Sequence, residues 1–167
     1  MSTINELRAG THADLPSVLA ENQREKVWTS DLDLAKLKQI VQHTTHFLVV
    51  PAEQGVAAFV LAMASTSSYP NENFNWFKAR YDHFLYVDRI VVSKQHAGRG
   101  LGKVLYNNCF AHAAENGLQR VVCEYSTVPM NEGSAAFHAA MGFVEVGSRT
   151  LSANKSMSMQ SCELAHG

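Results

Sequence analysis

The sequence predicts a single-domain α/β layer structure, and three observations carry that prediction. Apolar runs of strand length alternate with stretches of helical periodicity along the whole chain. The length, 167 residues, suits one domain spanning residues 1–167 with a substantial core. No linker, repeat or low-complexity tract divides it.

In chain order, "TINELRAG" reads as a short first strand. "DLPSVLAENQREKVW" reads as a helix with Asp14 as N-cap and Pro16 in the first turn, where a missing N–H is harmless. "SDLDLAKLKQIVQHT" places Leu34, Leu37, Ile40 and Val41 at helical spacing behind Ser30 as a cap. "HFLVVPA" and "GVAAFVLAMAS", separated by "EQG", suit a hairpin of buried strands. The polar, aromatic-rich "TSSYPNENFNWFKARYD" is long for a turn and is expected to be a functional loop. "HFLYVDRIVVS" is a strand. After a glycine turn, "GKVLYNNCFAHAAENG" puts Leu101, Val104, Leu105, Asn108 and His112 on one helical face and stops at Gly117. "QRVVCEYSTV" is a strand, "GSAAFHAAM" a short helix, and "GFVEVGSRTL" and "KSMSMQSCEL" are the last two strands.

Composition excludes several classes of function. Lys and Arg number 14 against 15 Asp and Glu, a formal charge of −1, so no basic field draws nucleic acid or an acidic membrane. The N-terminus lacks the features of a signal peptide, and no run approaches the roughly 18 apolar residues of a membrane span. A soluble, cytoplasmic protein is expected. Cys109, Cys123 and Cys162 are odd in number and flanked by apolar residues, which fits reduced thiols better than a disulfide framework. None of the eight histidines has metal-ligand spacing, so no metal is expected.

The stretch "VVSKQHAGRGLGKVLYNN" sets three glycines between a strand and a helix. Backbone N–H groups at a helix start are unsatisfied and lie at the positive end of its dipole, and glycine lets a phosphate approach them without a Cβ in the way. Two well-known cradles fail. The GxxxxGK[ST] pattern would need glycine at Ala97 and a hydroxyl at Val104. The dinucleotide GxGxxG pattern would need glycine where Lys103 stands.

What matches is Gln95-x-x-Gly98-x-Gly100, followed by Leu101 and Gly102 and preceded by "RIVV", which resembles the acyl-CoA motif of the GNAT superfamily of N-acetyltransferases. A second match falls in "NEGSAAFHAAMGF", Asn131 to Phe143, which looks like that family's Asn, small residue, aromatic or His, and Gly-Phe pattern. The resemblance runs from Thr3 to about Leu164. "FLYVDRIVV" after "NFNWF" looks like a bacterial subgroup of predicted acetyltransferases. The implied fold is a central mixed, mostly antiparallel sheet, splayed at the acyl-CoA site, with helices on both faces. The implied cosubstrate is acetyl-CoA.

The resemblance also implies site residues. Free backbone groups around Ile90, Val91 and Val92 would pair with the pantetheine arm as an added strand does. The amides from Gly98 through Arg99, Gly100, Leu101 and Gly102 to Lys103 would take the pyrophosphate, with Gln95 opening the loop. Arg99 and Lys103 are either rim cations that touch phosphate or solvated charges. Asn131 would hold the pantetheine, a helix N-cap role being compatible. The Val92 N–H would meet the developing oxyanion. His138 stands where the family usually has a tyrosine acid, so it is the candidate donor to the departing thiolate; a merely hydrogen-bonded helix histidine is the alternative, and Tyr125 is the second candidate. Asp88, alternating with Ile90 and Val92, would take the amine proton, unless it sits in a structural salt bridge; Glu124 is the reserve. Tyr69, Phe74, Trp76, Phe77 and Tyr81 would either wall an acceptor pocket or pin their loop to the core.

The leading reading is transfer of acetyl from acetyl-CoA to a primary amine of a small molecule, amino acid or peptide terminus, by direct attack in a ternary complex. The alternative is a catalytically silent acyl-CoA-binding module or sensor, and a structural interaction protein comes third. The expected partner is that small amine or peptide acceptor, with neither nucleic acid nor membrane, and a homodimer stays open.

Overall fold

The computed structural model describes residues 6–25 and 31–165. The strands are β1 (Arg8–Ala9), β2 (His46–Pro51), β3 (Val56–Ala64), β4 (Phe84–Val92), β5 (Arg120–Val128), β6 (Val144–Ser152) and β7 (Lys155–Glu163). The helices are α1 (Leu15–Arg24), α2 (Leu34–His43), α3 (Glu72–Lys78), α4 (Leu101–Glu115) and α5 (Glu132–Ala140). They form the expected single α/β layer domain. Its seven-stranded sheet has the order β1-β2-β3-β4-β5-β7-β6, and every neighbouring pair is antiparallel except β4 with β5.

Alternation along the strands sorts side chains into two cores. One joins Phe59, Leu61, Met63, Phe84, Tyr86 and Val122 to Leu15, Val18, Leu37 and Ile40 of α1 and α2 and to Phe74 and Phe77 of α3. The other joins Val60, Leu85, Val87, Val121 and Cys123 to Leu101, Leu105, Tyr106 and Cys109 of α4. β3 is buried on both faces, which explains its unbroken apolar run.

Four local readings are corrected. Asp14 does not cap α1 with its side chain. It already has helical φ/ψ, at the end of a 3-10 turn, and its carboxylate turns back to Arg8, at 2.8 Å on both oxygens, and to the Thr11 N–H. Ser30 lies outside the described residues, and α2 is capped by Asp33, which accepts from the Lys36 N–H at 2.8 Å. The aromatic-rich segment is not all loop: Asn71 accepts from the Phe74 N–H and starts α3, whose Phe74 and Phe77 are fully buried. On α4 the buried residues are Leu101, Leu105, Tyr106, Cys109 and Ala113, while Val104 is 45% exposed, so the apolar face is rotated from the expected one.

Candidate active site

The sheet opens in its middle. β4 and β5 pair only between Phe84–Tyr86 and Arg120–Val122, and beyond those three pairs they part. Ser93 N–H donates to the Ala57 carbonyl across β3. In an antiparallel ladder these groups alternate sides, so Val91 turns its backbone toward β3 while Ile90 and Val92 turn theirs to the open side. A cleft of about 270 Å³ occupies the gap, lined by Ile90, Asp88, Glu124, Tyr125, Asn131 and His138 among others. A wider cavity of about 580 Å³ adjoins it on the α2 side, where Asn71 and Arg89 belong to both.

The register of β4 against β3 shifts between Val87 and Arg89, leaving Asp88 as a bulge residue. That overturns the expected alternation of Asp88 with Ile90 and Val92. The latter two pack toward α4, whereas Asp88 and Arg89 both turn to the α1 face. There the Asp88 oxygens accept from the Tyr69 hydroxyl and from Arg89 Nε, each at 2.7 Å, and Arg89 donates on to Asn22 of α1 at 2.9 Å. Desolvation first, and the Asp88 carboxylate second, push the Tyr69 phenol far up.

Glu124 faces the same side. Its Oε1 accepts from the Tyr86 hydroxyl at 2.7 Å and from Asn73 of α3 at 3.0 Å. Its Oε2 is buried with no hydrogen-bond partner among the described residues. Burial, the largest cause, and the nearby Asp88 charge push the carboxyl up to about 8 against the lowering bonds from Tyr86 and Asn73.

Tyr125, the next residue on β5, faces α5. Its oxygen accepts from Gln160 Nε2 at 3.2 Å, and its ring lies 5.6 Å from that of His138. His138 is only 5% exposed. Its Nδ1 lies 2.8 Å from the Ser134 carbonyl, which can only accept, so Nδ1 carries the hydrogen and Nε2 accepts from the Tyr106 hydroxyl at 2.6 Å. Burial, the larger cause, pushes the imidazole down against the raising bond to the Ser134 carbonyl. The Tyr106 oxygen in turn lies 3.6 Å from Cys123 Sγ. Neither His138 nitrogen is therefore left to present a proton to the cleft.

The glycine turn is left-handed at two of its glycines. Gly98 and Gly100 have φ of +79° and +74°, and a Cβ on either would meet nothing within 4 Å. The space over the start of α4 is open. Gly102 is glycine for another reason: its Cβ would fall 2.8 Å from the Phe137 ring, so it allows α5 to pack on α4. Gln95, Arg99 and Lys103 are exposed around this turn. Asn131 caps α5 by accepting from the Ser134 N–H at 3.1 Å.

The aromatics of the α3 segment chiefly pin it. Phe74 and Phe77 pack edge-on or tilted among Phe84 and Tyr86, Trp76 sits so close to Gly147 of β6 that a Cβ there would fall 2.4 Å from the indole, and Tyr81 lies under the Arg120 guanidinium. Tyr69 alone of the five lines the wider cavity. Sequence reasoning missed Asn73, Tyr86, Tyr106 and Gln160. Each acts through a side-chain hydrogen bond to a residue more than 30 positions away in sequence, and no local pattern encodes such a bond.

The family profile described as "Acetyltransferase (GNAT) family" matches residues 14–143. The chain belongs to the GNAT acetyltransferase family. Over 67 residues, 40% of the chain, it is 36% identical to N-acetyltransferase 8F1 of Rattus norvegicus, and that stretch takes in 29% of the rat protein. Among solved structures, the fold resembles the ribosomal-protein-S18-alanine N-acetyltransferase of Escherichia coli, with a TM-score of 0.72, 15% identity, and coverage of 100% of this chain and 96% of that one. It resembles Ard1 of Thermoplasma volcanium, with a TM-score of 0.76, 16% identity, and 99% of each chain covered. Naa20 of Chaetomium thermophilum, solved with a bisubstrate analogue, aligns at a TM-score of 0.74 and 13% identity over 95% of this chain and 86% of that one. These three likenesses concern the fold. No described helix is long and apolar enough to cross a membrane, and among the described residues no group of three or more His, Cys, Asp or Glu could hold a metal ion.

Proposed function

We propose that the protein transfers the acetyl group of acetyl-CoA to a primary amine of a small molecule, amino acid or peptide, by direct attack within a ternary complex. One observation carries the reading: the cleft passes through the sheet and holds a buried, half-satisfied carboxylate on one face and a phenol on the other. Acetyl-CoA supplies an activated thioester and a sulfur leaving group. The open backbone edge of β4 and the glycine turn fit its extended arm and pyrophosphate. Asn131 lines the cleft beside that edge.

On the α1 to α3 face, Glu124 takes a proton from the amine as its nitrogen bonds to the thioester carbon. The N–H group of Val92 receives the developing oxyanion. As the carbon–sulfur bond breaks, Tyr125, on the α5 face, gives its hydroxyl proton to the sulfur and regains one from solvent. His138 acts through Tyr106, holding that side chain in the wall, and Asp88 acts through Arg89, anchoring α1. In this assignment Tyr125 takes the acid role and Glu124 the base role.

The silent acyl-CoA-binding module has one observation in its favour, the full engagement of His138 and Asp88. One experiment separates the readings: calorimetric CoA binding together with acetyl-CoA-dependent thiol release across a panel of amines and peptides. Binding with amine-dependent release supports the transferase. Binding without release from any acceptor supports the silent module, and absence of binding removes both.

A further inference from the structure

A chain of hydrogen bonds crosses three strands behind Tyr125. The Glu145 carboxylate on β6 accepts from the Ser158 hydroxyl on β7 at 2.8 Å. Since Ser158 spends its only hydrogen there, its oxygen can only accept from the group on its other side. That group is the Gln160 side-chain amide, 2.6 Å away, so the atom facing Ser158 must be the NH₂ nitrogen and not the carbonyl oxygen. The amide orientation is thereby fixed by elimination. The same nitrogen lies 3.2 Å from the Tyr125 oxygen, and its second hydrogen points there.

The consequence concerns the phenol. A Tyr125 oxygen that accepts from Gln160 keeps its own hydrogen unspent, and Tyr125 lines the cleft. Were the amide reversed, its oxygen would draw the phenolic hydrogen away from the cleft. Gln160 and Ser158 are 3% and 2% exposed, so water does not compete for these bonds. We propose that Gln160, oriented by Ser158 and Glu145, is a positioning residue that holds the Tyr125 hydroxyl as a hydrogen-bond acceptor and leaves its proton aimed at the departing thiolate. This rests on the acid role given to Tyr125 above.

The test uses Gln160→Met, close in size and without a donor, with Ser158→Ala as a milder variant that frees the amide to rotate. In acetyl-CoA-dependent thiol release with an amine that the wild type acetylates, Gln160→Met lowers kcat by about 10-fold while the KM for acetyl-CoA stays within about twofold, and Ser158→Ala falls between. In a Tyr125→Phe background, Gln160→Met has no further effect, because the group it positions is gone. Equal fold-losses in both backgrounds would make Gln160 a packing residue and overturn the proposal. A readout independent of turnover accompanies it: the tyrosine Raman doublet, isolated as wild type minus Tyr125→Phe, should show a phenol that accepts a hydrogen bond, and Gln160→Met should erase that signature. A donor signature, or one unchanged in Gln160→Met, also overturns it. If Tyr125→Phe turns over like wild type while the spectral result holds, the acid role of Tyr125 fails and the orientation of its hydroxyl stands.

Discussion

Replacing Glu124 with glutamine tests the base assignment through two quantities that move for different reasons. Glutamine keeps the acceptor oxygen that serves Tyr86 and Asn73 and places an amide where Oε2 stands unpartnered. The substitution therefore preserves shape while removing the ionisable group. A carboxyl held up to about 8 in the folded protein and near 4.5 in the unfolded chain binds a proton in the native state that the unfolded state has already lost. Between those two values the Glu124 contribution to stability falls as pH rises, by roughly 1.4 kcal/mol per pH unit, and below 4.5 or above 8 that contribution is level. Over the whole window the loss is at most about 5 kcal/mol, and Glu124→Gln abolishes it.

The corresponding rate prediction has the opposite pH sense. Glu124 accepts a proton only when ionised, so kcat/KM for the amine should rise with pH toward a plateau above about 8. Glu124→Gln should lose that limb and about 10²-fold or more in kcat, with CoA affinity nearly unchanged. Urea unfolding at pH 5 and pH 8 for both proteins, beside a pH–rate profile, measures all of this. A stability difference between the proteins that is the same at both pH values, or a variant that keeps the acid limb and the rate, would refute the reasoning.

Gly100→Val forces a β-branched side chain to a φ of +74° and should cost about 1–2 kcal/mol in thermal unfolding; because the space above it is otherwise open, the larger effect should be weaker CoA binding by calorimetry. Asp14→Asn should lose about 1–2 kcal/mol at pH 7, less than the full shift implies because Arg8 is half exposed; the Arg8 bond holds this carboxyl down to about 2, so the deficit seen by urea unfolding should fade as pH drops through that value. Tyr106→Phe leaves the buried His138 Nε2 without a donor and should destabilise by about 1–3 kcal/mol, with CoA affinity retained.

The strands, the helices after Gly100 and Asn131, and the glycine turn were legible because each is written in local periodicity or in a short motif whose backbone demand is local. Asp88 was placed on the wrong face because period-2 reasoning assumes an unbroken ladder, and a single bulge residue inverts every side chain beyond it. The start of α2 went astray for a smaller reason: Ser30 and Asp33 are both competent caps, and only the structure shows which carboxylate or hydroxyl meets the free N–H. His138 lines the cleft, but a motif cannot say where two ring nitrogens are spent. That depends on Tyr106, 32 residues away in sequence.

The bulge and the parting of the strands also explain why adjacent residues can hold opposite chemistry. Strand alternation sends Glu124 to the α1 to α3 side and Tyr125 to the α5 side, and in a closed sheet a neighbouring strand would separate them. Because β4 and β5 pair through only three residues, both side chains reach one opening. An amine arriving on one face and a thioester lying along the other would then meet in the plane of the sheet. The Asp88 bulge serves the same arrangement: it sends the Asp88–Arg89 pair to the α1 face and leaves the apolar Ile90 and Val92 on the α4 side. The β4 charges are thus confined to the α1 face, and the edge proposed for the pantetheine arm carries only backbone donors and acceptors beside apolar side chains. A substitution that restored regular pairing past Arg89 would return one of these charges to the α4 face, so the bulge, as much as any single side chain, keeps the two halves of the site distinct.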